Sequence, residues 1–327
     1  PYRLPAGVDF AELPHYASLA RPAEAMIGSL RALRSFWRVL GEVDAVWLLG
    51  PHPLAIVVAP LAALRGKRVA LGVRQDLVSY ARTRRPGRRD IQFLARALEL
   101  MYRGLARAFS VVAIGSDLAA RYGRARRVLD ATVSLVPEAS IAEPEALVSR
   151  AYDGELTVLS VGRLDAEKNP LLLADVLARL DARWRLVVCG DGPLADDLEQ
   201  RLDELGVSDR AELRGYVPVH GGLDELYRSS HAFLHVSWTE GMPQVLIEAF
   251  AARLPVVATD VGGVEALASG AALLVPPGDP DAAARALERI AAEPSLRDEL
   301  TSAGADRARQ HSLEAESSRV AEFLEDA

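Results

Sequence analysis

Cysteine occurs once in the 327 residues, at Cys189. A lone thiol cannot close an internal disulfide, so a disulfide-stapled secreted framework is excluded and a reducing, cytoplasmic setting is expected. The six histidines (His15, His52, His220, His231, His235, His311) show no ligand spacing with cysteine or carboxylates, so no metal site is expected. His231 and His235 flank the short strand "AFLHV" and read as core or edge histidines. No GxxxxGK[ST] loop and no GxSxG elbow is present, which argues against P-loop nucleotide chemistry and serine hydrolysis. Aromatics make up only 6% of the chain and none interleaves with its arginine clusters; with a net charge of −7, nucleic acid is not an expected partner. One apolar run, Ala45 to Leu64, is long enough to span a bilayer. It contains Gly50, Pro51, His52, Pro53 and Pro60, and reads instead as a strand (Ala45 to Leu49), a turn and a helix. No charged-then-apolar pattern follows Pro1, so no signal peptide is expected.

What is abundant is aliphatic: half the residues are hydrophobic, enough for a large core. The length suggests two domains. The stretch from Val136 to Glu155, rich in Pro, Glu and Ala, marks a boundary, giving domains 1–150 and 151–327. Charge divides there too. Residues 1–150 carry 22 basic and 13 acidic side chains and the remainder 16 and 32, a net of +9 against −16. Such asymmetry points to different partners for the two halves. In the second half, short apolar strands ("LTVLSVG", "WRLVVCG", "AELRG", "AFLHVS", "VVATD", "AALLV") alternate with helices, among them "NPLLLADVLARL" with Asn169 as N-cap and Pro170 as N1. Strand–helix alternation and strands without polar alternation predict an α/β fold with a parallel, doubly wound sheet. In the first half, strands are expected at Ala45–Leu49, Arg68–Val73, Ser110–Ile114 and Val133–Leu135.

In open parallel sheets, ligands lie beyond the carboxyl ends of the strands. Four turns fall there: "GRLDAEKNP", "CGDGP", "RGYVP" and "SWTEGMPQ". The first places Arg163 and Lys168 between a strand and a helix start, where amides and the helix dipole favour anions, so together they suit a diphosphate. Read blandly, they are two solvated surface cations. "CGDGP" and "DVGG" (Asp260 to Gly263) supply tight turns and are ambiguous alone; Cys189 reads as a buried strand-end residue. Glu240 precedes the helix opened by Pro243, and Glu248 lies about one and a half turns into that apolar helix. A buried carboxylate needs a partner. It is either a hydroxyl-rich ligand or, structurally, a cation such as Arg253. "ARTRRPGRRD" gathers Arg82, Arg84, Arg85, Arg88 and Arg89; broken by Pro86-Gly87, it reads as an exposed basic loop that would face an anionic membrane or phosphate-bearing acceptor, or be plain solvated surface.

These turns, with "ELYRSSHAFLHVSWTEGMPQVLIEAFAARLPVVATDVGGVEAL" and "LLVPPGDP", resemble the retaining nucleotide-sugar-dependent glycosyltransferases of GT-B architecture, family 4. The resemblance runs from about Thr157 to Asp281, and Glu240 and Glu248 match that family's EX7E motif. It implies two Rossmann-like domains facing a cleft, the first on the acceptor side, the second binding the donor, with the last helix packing back on the first. It implies a UDP- or GDP-sugar donor held by Arg163 and Lys168 at the diphosphate, by Glu248 at the ribose, by Glu240 at the donor sugar, by backbone at Gly162, Gly241 and Met242, and near the base by Val217. It implies transfer with retention and no cofactor or catalytic metal, and no DxD motif is present. The acceptor would be a glycan, a lipid-linked molecule or a small molecule, and the protein cytoplasmic or peripheral on the inner membrane face.

The sequence departs from the family in two places. The family's first strand and Gly-rich loop are not found before Leu40, so the N-terminal domain is expected to be incomplete. Where the family often has histidine, after "VALGV", this chain has Arg74, and His52 in "GPHP" is a second acceptor-side candidate. A donor-binding, non-catalytic subunit is therefore an alternative. A nucleotide-sugar 2-epimerase is another, opposed by the EX7E context.

Overall fold

The computed structural model describes residues 32–84, 87–143, 150–219 and 222–326. The chain divides into two compact units, one of residues 1–113, 118–129 and 321–327, the other of 114–117 and 130–320.

The first unit is built on β1 (Ala45–Gly50), α1 (Pro53–Leu64), β2 (Arg68–Val73), α2 (Leu77–Arg84), α3 (Arg89–Ala106), β3 (Ser110–Ile114), α4 (Ser116–Arg121) and β4 (Arg127–Ala131). The sheet order is β1-β2-β3-β4, with β1–β2 and β2–β3 parallel. The run from Ala45 to Leu64 is therefore a strand, a turn and a helix, and among the described residues no helix is long and apolar enough to cross a membrane. α1 begins where Pro53 pre-sets the first turn and His52 Nδ1 accepts from the amide of Leu54 at 3.2 Å. The core is Leu71, Val73, Tyr102, Val111 and their neighbours, and the Tyr102 hydroxyl donates to the Leu48 carbonyl at 3.1 Å.

Three local expectations need correction. No strand forms at Val133–Leu135; β4 lies earlier, at Arg127–Ala131. The backbone at 132–136 is bonded elsewhere, with the amide of Thr132 donating to Glu316, that of Val136 to Ser134 Oγ, and the Val136 carbonyl accepting from Leu313. The arginine-rich stretch is partly helical rather than all loop: Arg82 and Arg84 lie in α2 and Arg89 opens α3, while Gly87 and Arg88 lie in neither and Pro86 falls outside the described residues. Arg85 lies outside the described residues. Asn169 does not N-cap α5; it is left-handed (φ 52°) and ends the short 3-10 turn Ala166–Lys168, and Pro170 takes the N-cap position.

The second unit has β5 (Leu156–Val161), α5 (Leu171–Leu177), β6 (Trp184–Cys189), α6 (Ala195–Glu204), β7 (Ala211–Leu213), α7 (Leu223–Ser229), β8 (Ala232–His235), α8 (Gln244–Ala251), β9 (Val256–Thr259), α9 (Val264–Ala268), β10 (Ala272–Val275), α10 (Pro280–Ala292), α11 (Pro294–Gln310) and α12 (Leu313–Glu325). All six strands are parallel, in the order β10-β9-β8-β5-β6-β7. Both faces are covered. Leu156, Val158, Leu186, Val188, Ala232 and Leu234 enter one core, while Leu159, Val187, Cys189 and Phe233 enter the other. That is the two-sided burial expected from strands without polar alternation. Cys189 is buried, and burial pushes its thiol up to about 11, so it packs rather than reacts.

Candidate active site

The strand order reverses between β5 and β8, and a doubly wound sheet opens a crevice at such a point, beyond the strands' carboxyl ends. The turns holding Arg163 and Lys168, Gly190 to Gly192, Gly215 to Val217, and Ser237 to Met242 follow β5, β6, β7 and β8, four neighbouring strands.

Glycines pack these turns against each other. A Cβ on Gly190 (φ +154°) would lie 1.7 Å from the Gly162 carbonyl oxygen, and one on Gly192 2.4 Å from that of Leu164. The amides of Gly162 and Leu164 donate to the Cys189 and Asp191 carbonyls at 3.0 Å each. On the other side, a Cβ on Gly262 would lie 2.0 Å from the Glu240 carbonyl oxygen, and one on Gly263 1.8 Å from that of Gly241. "CGDGP" and "DVGG", ambiguous as sequence, are close backbone approaches that fix the two central turns. The amide of Trp238 donates to the Glu167 carbonyl at 2.8 Å and ties those turns together.

At the reversal point, the Glu240 side chain is only 6% exposed. Its Oε1 accepts from Lys168 Nζ at 2.6 Å, from Ser237 Oγ at 2.6 Å and from His235 Nε2 at 2.8 Å. Burial favours the neutral acid, but the bond and charge of His235, with Lys168, outweigh it and hold the carboxyl at about 2. His235, which the sequence presents as a core or edge histidine, is buried, at 5% exposure, and bonds Glu240 from there. His231 is the structural one, its Nδ1 accepting from the Thr157 amide at 3.0 Å.

Glu240 ties stability to pH. Its carboxyl is depressed from the ordinary 4.5 to about 2, so its contribution is complete above pH 4.5 and lost as pH falls toward 2. The size is about 3 kcal/mol. In denaturant titrations, wild type should exceed Glu240→Gln by most at pH 5, and the gap should shrink by about that amount at pH 2. An equal gap at both values would mean that the carboxylate is not held charged by its neighbours.

Glu248 lies on α8, half-buried, with Oε2 accepting from the Tyr227 hydroxyl at 2.8 Å. Burial raises its pKa, and the Tyr227 bond only partly opposes this. The ion pair with Arg253 does not form: Arg253 (φ 49°) turns away, and its Nε donates to the Ala142 carbonyl at 2.7 Å. Arg163 is 64% exposed and paired with Asp165. Gly241 is exposed, Met242 and Val217 are half-buried, and Val217 follows β7. In the first unit, His52 and Arg74 follow β1 and β2, whose paired ends are Gly50 and Val73. They therefore share one end of that sheet. Among the described residues, no group of His, Cys, Asp and Glu is placed to hold a metal ion.

A family model, "Glycosyl transferases group 1", matches residues 144–307, half of the chain. The chain belongs to this family. Over 138 residues it is 38% identical to the phosphatidylinositol N-acetylglucosaminyltransferase gpi3 subunit of Schizosaccharomyces pombe, covering 40% of this chain and 30% of that protein. It is 32% identical over 153 residues to the alpha-D-kanosaminyltransferase of Streptomyces kanamyceticus, covering 45% and 39%. The matched segment thus spans about a third of the length of these curated relatives. Among solved structures, sucrose-phosphate synthase from Thermosynechococcus elongatus superposes with a TM-score of 0.68 at 21% identity, over 95% of this chain and 80% of that one. Anabaena HepE, crystallised with UDP, gives 0.70 at 18%, over 91% and 84%. These likenesses establish the two-sheet GT-B fold.

Proposed function

We propose that this chain moves a sugar from a nucleoside-diphosphate sugar to an acceptor, with retention at the anomeric carbon. The observation that carries this is the Lys168–Glu240 pair at the strand-order reversal, with Glu240 held ionised by His235 and Lys168 and bonded by Ser237. Breaking the anomeric bond develops positive charge on the sugar and negative charge on the departing diphosphate. Lys168, and Arg163 swinging from Asp165, meet the negative charge; preorganised groups of this kind are worth about 3–4 kcal/mol each. Three donors converge on Oε1 of Glu240, leaving Oε2 for donor-sugar hydroxyls beside the reacting carbon. Backbone at Gly162, Gly241 and Met242 touches sugar and phosphate, and backbone near Val217 meets the base. Glu248 accepts from the ribose hydroxyls on the oxygen not used by Tyr227. These cations do the work in place of a metal or cofactor.

HepE, in complexes with UDP, UDP and glucose, and UDP-glucose, supports a uridine donor over a guanosine one. Relatives named for phosphatidylinositol and undecaprenol acceptors support a lipid-linked acceptor, with His52 and Arg74 on the acceptor side and the basic corner at Arg82–Arg89 turned to an anionic membrane on its cytoplasmic face. The test is a thermal-shift screen of UDP, GDP and their sugars, followed by mass spectrometry of donor hydrolysis. Stabilisation by one nucleotide and slow release of its diphosphate form are expected; binding without any release would make the chain a binding subunit.

Glu248→Gln should weaken nucleotide binding in calorimetry by at least about tenfold, while the melting temperature holds or rises because a half-buried charge is removed. A variant that unfolds readily yet binds nucleotide normally would make Glu248 a structural residue.

A further inference from the structure

Helix α3 (Arg89–Ala106) is apolar on the side that faces solvent. Its inward face is Ala95, Glu99, Tyr102 and Ala106, all buried. On the opposite face stand Phe93, Leu94, Leu100 and Met101, exposed by 72%, 66%, 67% and 51%, with Ala97 and Gly104 between them at helical spacing. Four large exposed apolar side chains on one helix are costly in water and mark an interaction surface. Arg89, Arg96, Arg103 and Arg107, all exposed, recur at intervals of seven, seven and four residues and form one flank of that face. The only acid on the exposed side, Asp90, is already paired with Arg88 at 2.7 Å. On the other flank Leu94 joins an apolar groove of about 540 Å³ between α2 and α3, lined also by Leu77, Ala81, Ile91 and Leu98.

We infer that this face of α3 is a membrane-docking surface, lying in the headgroup region of an anionic bilayer with Phe93, Leu100 and Met101 among the acyl chains. A protein partner would not require one purely cationic flank, whereas an anionic lipid surface does, and arginines reach the phosphates while their stems stay apolar. The groove continuing from Leu94 gives one lipid chain a place to lie along the helix. Each arginine near such a surface is worth about fivefold in partitioning, and each large apolar side chain inserted at least as much.

The experiment is co-sedimentation of the full chain with vesicles of phosphatidylcholine alone, or with a third phosphatidylglycerol, at low and high salt. Binding is expected only to the anionic vesicles, weakening with salt. Phe93→Ser with Leu100→Ser should lower it at least about twentyfivefold, and Arg96→Gln with Arg103→Gln by a similar factor. These side chains are exposed, so melting temperatures and nucleotide binding should match wild type, which keeps this result separate from any failure of the donor reading. No binding of wild type to anionic vesicles at low salt would overturn the proposal, as would either double variant binding like wild type. So would concentration-dependent dimerisation, by light scattering, that the serine variant abolishes, since that would give the face to a second copy.

Discussion

Lys168→Ala should lower kcat at least about a hundredfold with a smaller change in the affinity for nucleoside diphosphate. The ammonium lies 2.6 Å from Glu240 at the strand-order reversal, where the leaving diphosphate would gain charge. An interaction that strengthens as charge develops appears in kcat, not in ground-state binding. Arg163→Ala should behave likewise, although Arg163 is solvent-exposed and held by Asp165 in the free protein, so its part depends on movement when donor binds. Removing Lys168 also strips one of three donors from a buried carboxylate, so the melting temperature will fall somewhat. Kinetics at a temperature where circular dichroism shows the variant folded separates the two effects. An unchanged kcat in either variant would take that residue out of the mechanism.

The second large effect belongs to glycines. Gly190→Ala and Gly263→Ala should each cost at least about 3 kcal/mol and abolish turnover. The added methyl would sit 1.7 Å from the Gly162 oxygen in the first case and 1.8 Å from the Gly241 oxygen in the second. Both obstacles are backbone, so a turn bearing site residues must shift as a whole; Gly190 is also in a positive-φ conformation that alanine resists. Gly162→Ala is the control for stability, because its Cβ would meet nothing within 4 Å. Urea unfolding should place it within about 1 kcal/mol of wild type. If Gly263→Ala unfolded like that control, the close approach of the two turns would be wrong.

The second unit was legible because a two-sided parallel sheet writes itself as apolar runs closed by Gly, Ser, Asp or Pro, each followed by a helical pattern. The neighbouring turns after β5, β6, β7 and β8 could be read off as a set for that reason. His235 is buried, as a histidine within an apolar strand suggests, but its bond to Glu240 was not read. Its signal was in the spacing: His235 and Ser237 alternate along an extended segment, so both can turn toward Glu240 three residues on. The partner of Glu248 could not be read either, since Tyr227 lies on another helix and Arg253 is directed away by its left-handed backbone. Val133–Leu135 has strand composition, but the residues on either side of it, Thr132 and Val136, bond to Glu316 and Leu313, nearly two hundred residues on, a dependence no local pattern carries. The apolar outer face of α3 was hidden by its own regularity. A 3.6-residue period identifies a helix with an apolar side, not which of two apolar sides is covered.

Arg150, just before β5 in the second unit, is half-buried and donates to the carbonyls of Tyr227, Arg228, Ala252 and Arg253. Those carbonyls terminate α7 and α8, the helices that bear Tyr227 and Glu248. The unit's modularity therefore has a sharp edge. Cut at 151, the unit would keep every residue of those four turns and still lose the clamp that holds two of its helices in register. Severed one residue earlier, it would keep it. A graft of these six strands onto another partner domain should carry Arg150 with it.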